Sequence, residues 1–285
     1  MVPTVEQIVI DPAEMGVSYA FDRSRAAMKS PSSPTSACTA CRDGQALDFD
    51  FTMAFQPIVD VRDRTVYAYE ALVRGLDGSS AQSILDQVTP QNLYAFDQAC
   101  RVKAVELAAS LAMTCRLSIN FLPNAVYQPE ACIRATLQAA QRCGFPTERI
   151  IFEIAERENL LDKAHLQGIL RAYRRHGFLT AIDDFGAGYS GLNLLADFQP
   201  DLLKIDMALV RGIDSDPVRQ AIVRSIAGLC ETLHVQALAE GVETAEELTA
   251  LRGLGIHLFQ GYLFARPALE RLAQVQWPDG DPPAG

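Results

Sequence analysis

Residues 150–206 read IIFEIAERENLLDKAHLQGILRAYRRHGFLTAIDDFGAGYSGLNLLADFQPDLLKID. Three short apolar runs recur in this stretch, at Ile150–Ile154, Thr180–Asp183 and Leu202–Ile205. Between them lie the longer amphipathic segments His165–His176 and Ser190–Phe198. The runs have strand length and the intervening segments have helix length. Strands alternating with helices in this way build a parallel sheet from βα units. Each run also closes alike: on Glu153, on Asp183 with Asp184, and on Lys204 followed by Asp206.

The same alternation extends outward. Met53–Gln56, Tyr67–Leu72, Arg116–Asn120, Gln236–Ala239 and Leu258–Phe259 read as further strands. Leu93–Leu111, Pro129–Arg142, Pro217–Leu233 and Ala245–Leu254 read as helices. About eight strands in roughly 230 residues is the size of a (β/α)8 barrel. The competing open, doubly wound sheet would carry a glycine-rich phosphate loop after its first strand. The chain has neither G-x-G-x-x-G nor a P-loop. Residues 46–272 are expected to form this domain. Residues 1–45 are expected as a flexible lead-in, with the Pro/Ser tract Ser30–Ser36 and the pair Cys38-Thr-Ala-Cys41. Residues 273–285, ending in WPDGDPPAG, are expected as a disordered tail.

Of the 285 residues, 49% are hydrophobic and 21% charged, the composition of a globular chain rather than a disordered one. Acids outnumber bases 35 to 25, for a net charge of −10. That balance argues against a protein that grips duplex nucleic acid through its phosphates. An anionic small ligand remains compatible if a cation stands between it and the carboxylates. No stretch approaches the roughly 18 apolar residues of a membrane helix. The opening MVPTVEQIVIDPAEM lacks the basic and then apolar order of a secretory signal. Seven cysteines, an odd number, read as reduced thiols. The expected compartment is the cytoplasm.

The positions of the acids carry the functional reading. Ala237-Leu238-Ala239 runs into Glu240 and Leu117-Ser118-Ile119 into Asn120, so five strand candidates end on a polar or charged group of metal-ligand or acid–base type. A parallel barrel points all such ends at one face, where its active site is built. Carboxylates so crowded repel one another unless cations bind among them. Oxygen donors favour hard divalent ions such as Mg²⁺ or Mn²⁺. The residues therefore predict a barrel with a metal site, of one ion or two, acting on an anionic substrate such as a phosphate ester. The segment Asp183-Asp184-Phe-Gly186-Ala-Gly188-Tyr189-Ser190-Gly191 reads either as a plain strand-to-helix turn or as a mobile loop gating the metals.

Tyr69-Glu70-Ala71-Leu72-Val73-Arg74 resembles the signature that names the EAL family of cyclic di-GMP phosphodiesterases. The resemblance continues through Gln56-Pro57-Ile58-Val59, Ser118-Ile119-Asn120, Phe152-Glu153-Ile154-Ala155-Glu156 and Asp183-Asp184-Phe185-Gly186. It ends with Lys204-Ile205-Asp206, Ala239-Glu240-Gly241-Val242-Glu243 and Gln260-Gly261-Tyr262, covering about residues 50–270 in order. It implies a modified (β/α)8 TIM-type barrel with one antiparallel strand. It also implies metal-dependent hydrolysis of one phosphodiester of cyclic di-GMP to linear pGpG, using two Mg²⁺ or Mn²⁺ ions. By the same resemblance, Glu70, Asn120, Glu153, Asp183, Asp184 and Glu240 form the metal shell, with Asp183 bridging the ions. Lys204 holds and helps activate the attacking water, Gln260 positions that water or its surroundings, and Asp206 supports Lys204 and the metal cluster. Glu156 and Glu243 anchor the Asp183-Asp184 loop and the ligands. Arg74 contacts a substrate phosphate, and Gln56 a guanine edge. A homodimer through the helix after the Asp183-Asp184 loop is implied too.

Three positions depart from the family pattern: Gly75 where a Trp often stands, Ala155 for a Thr, and Gly191 for a Ser. None removes a catalytic group. Cys38 and Cys41 lack the second ligand pair that zinc requires. His165, His176, His234 and His257 never fall at ligand spacing. With no sensory domain legible, control is expected from a regulatory partner, dimerisation or the cysteine segment. The alternative to an enzyme is a catalytically weak or inactive receptor for cyclic di-GMP, or a protein-interaction regulator.

Overall fold

The computed structural model describes residues 47–156, 163–188 and 191–278. The expectations for residues 1–45, with Cys38 and Cys41, lie outside them, as do Tyr189 and Ser190. Strands β1 (Thr52–Asp60) and β2 (Thr65–Arg74) form an antiparallel hairpin, longer at both ends than the sequence suggested. The chain then passes through α1 (Ala81–Leu85) and α2 (Leu93–Ser110) to β3 (Arg116–Asn120). Next come α3 (Pro129–Cys132), α4 (Arg134–Cys143), β4 (Ile150–Ala155), α5 (Lys163–Arg175) and β5 (Leu179–Phe185). They are followed by α6 (Gly191–Asp197), β6 (Leu202–Ile205), α7 (Met207–Val210), α8 (Pro217–Leu233) and β7 (Gln236–Ala239). Helix α9 (Ala245–Gly253), β8 (Leu258–Gln260) and the short β9 (Ala268–Leu269) complete the order.

Strands β2 to β8 pair in sequence, all parallel, and β1 closes the ring by pairing antiparallel with both β2 and β8. The barrel is therefore eight-stranded with one reversed strand. Strand β9 pairs antiparallel with β1 through Ala54 and Leu269.

Ile58, Ala68, Ile151, Ala181, Leu202, Leu238 and Leu258 form an apolar cluster of their own, one residue from each of seven strands. This is the filled layer of a barrel interior. Side chains on a strand return to the same face every second residue. Two positions further along the parallel strands stand Glu70, Glu153, Asp183, Lys204, Glu240 and Gln260. On the reversed strand, two positions back, stands Gln56. One apolar layer thus supports a polar layer on the side where the parallel strands end. The larger core, with Phe55, Phe152, Tyr173 and Phe178, fills the space between strands and helices.

Two segments differ from the sequence reading. The helix expected over Pro129–Arg142 is interrupted at Ile133, next to Cys132, whose carbonyl accepts from Gln98 Nε2 of α2 at 2.8 Å. The expected disordered tail is corrected for residues 273–278, which pack on the barrel. Trp277 meets Phe264 edge-on with ring centroids 6.1 Å apart, Arg64 lies over the Trp277 ring, and the buried Tyr69 hydroxyl donates to the Ala273 carbonyl at 2.8 Å. No helix among the described residues is long and apolar enough to cross a membrane.

Outside the barrel wall, a buried charge pair joins α2 to α5. The Arg101 guanidinium pairs with Asp97 and donates to the Tyr173 hydroxyl at 3.0 Å, while Asp97 accepts from Leu122 N at 3.0 Å. Arg101 and Asp97 are both shut off from solvent. Removing one partner of such a pair leaves the other charge buried and unmatched. We predict that Arg101→Met lowers unfolding free energy by about 3–5 kcal/mol. Urea denaturation of both proteins measures this, and a change below about 1 kcal/mol would contradict it.

Candidate metal centre and active site

The polar layer converges on one ammonium group. Lys204, at the third position of β6, places Nζ 2.8 Å from Glu240 Oε1, 2.9 Å from Asp183 Oδ1 and 3.0 Å from Glu153 Oε2. Glu70 Oε2 stands 3.6 Å away. These residues arrive from β2, β4, β5 and the end of β7, so four separate strand ends meet at one nitrogen.

Burial alone would push the Lys204 ammonium towards deprotonation, but the surrounding carboxylates outweigh it and hold the proton well above the ordinary lysine range. The acids feel the opposite pressure. Burial first, and the other carboxylates after it, raise Glu153 and Glu240 well above normal despite Lys204. Burial and the adjacent Asp183 carry Asp184 up to about 7. Burial and mutual repulsion thus favour the protonated forms of Glu153, Asp184 and Glu240.

Glu70 is fixed from two sides: Asn120 Nδ2 donates to Oε1 at 2.9 Å and Gln260 Nε2 to Oε2 at 2.7 Å. Gln260 also donates to Gln56 Oε1 at 3.2 Å, and Gln56 Nε2 to the Ala265 carbonyl at 3.2 Å. The Oε1 atom of Gln260 is buried with no hydrogen-bond partner. Ser118 Oγ donates to Glu153 Oε1 at 2.5 Å. The sequence reading gave Ser118 no role. Its place on the same strand face as Asn120, two residues earlier, was the available signal.

The consecutive acids of β5 pose a geometric problem, because adjacent residues on a strand face opposite ways. The structure resolves it with a bulge. The β5–β6 register slips between Ile182 and Phe185, and Asp184 adopts left-handed backbone with φ of 53°. Asp184 is thereby turned back toward the site its neighbour faces. Carboxylate oxygens of Glu70, Glu153 and Asp183 lie within 4.8 Å of one another, as do those of Asp183, Asp184 and Glu240. Asp183 belongs to both sets.

The loop beyond is tied down by the buried Glu156. Its Oε2 accepts from Gly186 N at 2.7 Å and Gly188 N at 3.2 Å, and its Oε1 from Gly191 N at 2.7 Å. A Cβ at position 191 would stand 2.9 Å from this carboxylate and 2.8 Å from the Phe185 ring. Gly191 is therefore the residue that lets the loop close on Glu156.

Other expected site residues lie further from the cluster centre. Asp206 is not among the acids within 4 Å of Lys204 Nζ. It caps α7 by accepting from Ala208 N at 2.8 Å. Arg74 is half-buried and donates to the Val73 carbonyl at 2.6 Å, its charged form disfavoured chiefly by burial. Glu243 lies four residues past the end of β7. Its carboxylate pairs with Arg211 at 2.7 and 2.8 Å. At Gly75 a Cβ would meet only the movable side chains of Ser79 and Asp77.

The cluster can hold divalent cations among oxygen donors beside a buried lysine whose ammonium form the carboxylates favour. Comparison with known proteins places this arrangement in a family. A standalone versatile EAL protein from Vibrio cholerae O395, solved with c-di-GMP bound, superposes with a TM-score of 0.79 at 55% identity, over 81% of this chain and 98% of that one. Klebsiella pneumoniae BlrP1, solved as a manganese/cy-diGMP complex, gives a TM-score of 0.76 at 37% identity, over 81% of this chain and 60% of that one. The blue light- and temperature-regulated antirepressor BluF of Escherichia coli is 33% identical over 79% of this chain and 56% of its own length. Other curated relatives are named as cyclic di-GMP phosphodiesterases, established or probable. The chain spans little more than half of BluF and less of those others. The EAL domain model matches residues 42–267, and the chain belongs to the EAL domain family.

Proposed function

We propose that this chain hydrolyses one phosphodiester bond of cyclic di-GMP to linear pGpG, using Mg²⁺ or Mn²⁺ held by its carboxylates. The observation that carries this reading is the pair of carboxylate sets sharing Asp183 around Lys204. Oxygen-only donors suit hard divalent ions. Glu70, Glu153, Asp183, Asp184 and Glu240 against the single Lys204 leave a formal excess of four negative charges, which two divalent ions would match. Such ions, when bound, polarise a phosphate oxygen and make a coordinated water acidic enough to attack near neutral pH.

The chain's own groups account for the rest. In the reaction a water oxygen joins phosphorus, the bond from phosphorus to the 3′ oxygen breaks, and the leaving oxygen takes up a proton. Lys204 would hold the attacking water by an N–H and offset the negative charge that grows on the phosphate. Asn120 and Gln260 fix Glu70, and Ser118 fixes Glu153, so the ligands are oriented before substrate arrives. Glu156 keeps the 183–191 loop, and with it Asp183 and Asp184, in place. The half-buried Arg74 and the buried Gln56 would take a phosphate and a guanine edge. Leu192 on α6 and Val218 and Ile222 on α8 are exposed apolar side chains, which supports a homodimer through α6. The free thiols Cys100, Cys115, Cys132, Cys143 and Cys230 suit the cytoplasm.

The relationship to BluF, named an antirepressor, favours a second reading: binding of the dinucleotide or of a protein partner without turnover. Against it stands the full acid inventory described above.

Incubating purified protein with cyclic di-GMP and Mn²⁺ or Mg²⁺ should yield pGpG by chromatography, and Asp183→Asn should reduce it to background. Glu156→Ala, which removes no ligand, should lower turnover about 10–100-fold. Binding without turnover under either metal would move the protein to the second reading. Because the cluster holds protons that metal must displace, Mn²⁺ binding should tighten from pH 6 to pH 8, across the Asp184 value of about 7, with protons released. Calorimetry in buffers of different ionisation enthalpy measures the release, and a pH-independent affinity would contradict it.

A further inference from the structure

Glu240 lies just past the end of β7, in a segment that leaves the sheet. Its amide still donates to Ile205 O at 3.1 Å, which continues the β6–β7 ladder by one residue. On the β8 side the departing segment is held by Val242 N donating to Gln260 O at 3.1 Å and Leu263 N donating to Val242 O at 3.1 Å. On the β6 side, side chains hold it. Glu247 of α9, almost fully buried, accepts from Glu243 N at 2.9 Å and Thr244 N at 3.3 Å through Oε2. Through Oε1 it accepts from Gly212 N at 2.9 Å, in the segment that follows β6 and α7. Arg211, beside that glycine, grips both oxygens of Glu243, and Arg219 holds the Arg211 carbonyl. Gly241, with φ of 67°, seats against Met207, where a Cβ would approach to 2.6 Å.

A capping box at the start of α9 needs only one of the Glu247 oxygens. The second oxygen, on Gly212, and the two-pronged Arg211–Glu243 contact join two chain segments that carry site residues. An exposed ion pair contributes little to stability, so its consequence here is geometric.

We infer that Arg211 and Glu247 are positioning residues that staple the segments after β6 and β7 and thereby hold Glu240 against Lys204. As a statement about catalysis this rests on the phosphodiesterase reading above; the staple itself is tested without it. Arg211 is partly exposed, so Arg211→Met should fold and melt as the parent does. In the full chain with Mn²⁺ it should lower kcat about 10-fold, since small displacements of a reacting group are costly, and leave KM within about twofold. Arg211→Lys should recover part of the loss, and adding Glu243→Gln to Arg211→Met should cost nothing more. Glu247→Ala should lower kcat at least as far. Parental kcat in Arg211→Met, or a loss that appears only in melting temperature, would overturn the inference. If the parent shows no turnover, hydrogen exchange and Mn²⁺ titration decide instead. Faster exchange at the Gly212, Glu243 and Thr244 amides of Arg211→Met, with weaker Mn²⁺ binding, supports the staple, and unchanged exchange and affinity reject it.

Discussion

The ammonium of Lys204 among four carboxylates is the constraint from which the rest of the site follows. A lysine this deep keeps its charge only if acids surround it, and acids this close remain together only if a cation stands among them. Each side makes the other tolerable, and neither is balanced: the acids exceed the lysine. The strand ends must deliver their groups at one height and within about 3 Å of one nitrogen, a demand that a tilted, closed barrel meets by construction. Any metal bound there would have to displace the protons that burial favours on these carboxylates.

That common height is set by the apolar layer beneath. Ile151, Ala181, Leu202, Leu238 and Leu258 fix how far each strand protrudes, and the residue two places on is then the polar one. The reversed strand obeys the same rule read backwards, so Gln56 precedes Ile58 and still reaches Gln260. The exception is β5, which supplies two adjacent acids. It does so by leaving strand geometry at Asp184, a left-handed residue that is not glycine. Backbone of this kind persists where the surroundings over-determine it. Here Glu156 binds three amides of the loop that follows.

Much of this was legible in the chain. Strand ends at Asn120, Ile205 and Ala239 coincide with the ends of the apolar runs, because a strand buried on both faces is written as an uninterrupted run. The strands β1 and β2 were underestimated, since Pro57 and the charged residues near their ends mask the pairing that the hairpin imposes. The Gln98 contact beside the break at Ile133 comes from thirty-four residues away, and no local pattern announces it. Strand β9 and the packing of Trp277 were hidden for the same reason. Two residues and a lone aromatic acquire structure only from the barrel surface they meet.

The two Glu-x-x-Glu repeats show where spacing ceases to determine role. Glu153 and Glu156 stand in the same relation as Glu240 and Glu243, and the sequence offers no reason to treat the second members differently. The strands do. Strand β4 runs on to Ala155, so Glu156 follows it directly, donates its amide to Asp183 O at 2.9 Å, and turns a buried carboxylate onto the neighbouring loop. Strand β7 stops at Ala239, so Glu243 lies four residues past the sheet, where its carboxylate is open to solvent and meets Arg211. The buried carboxylate in that half of the barrel is supplied one helical turn later by Glu247, which binds backbone amides of two segments as Glu156 binds those of one. What the fold requires at both places is an anion buried against loop N–H groups. The residue that supplies it is decided by how far each strand runs before the chain leaves the barrel.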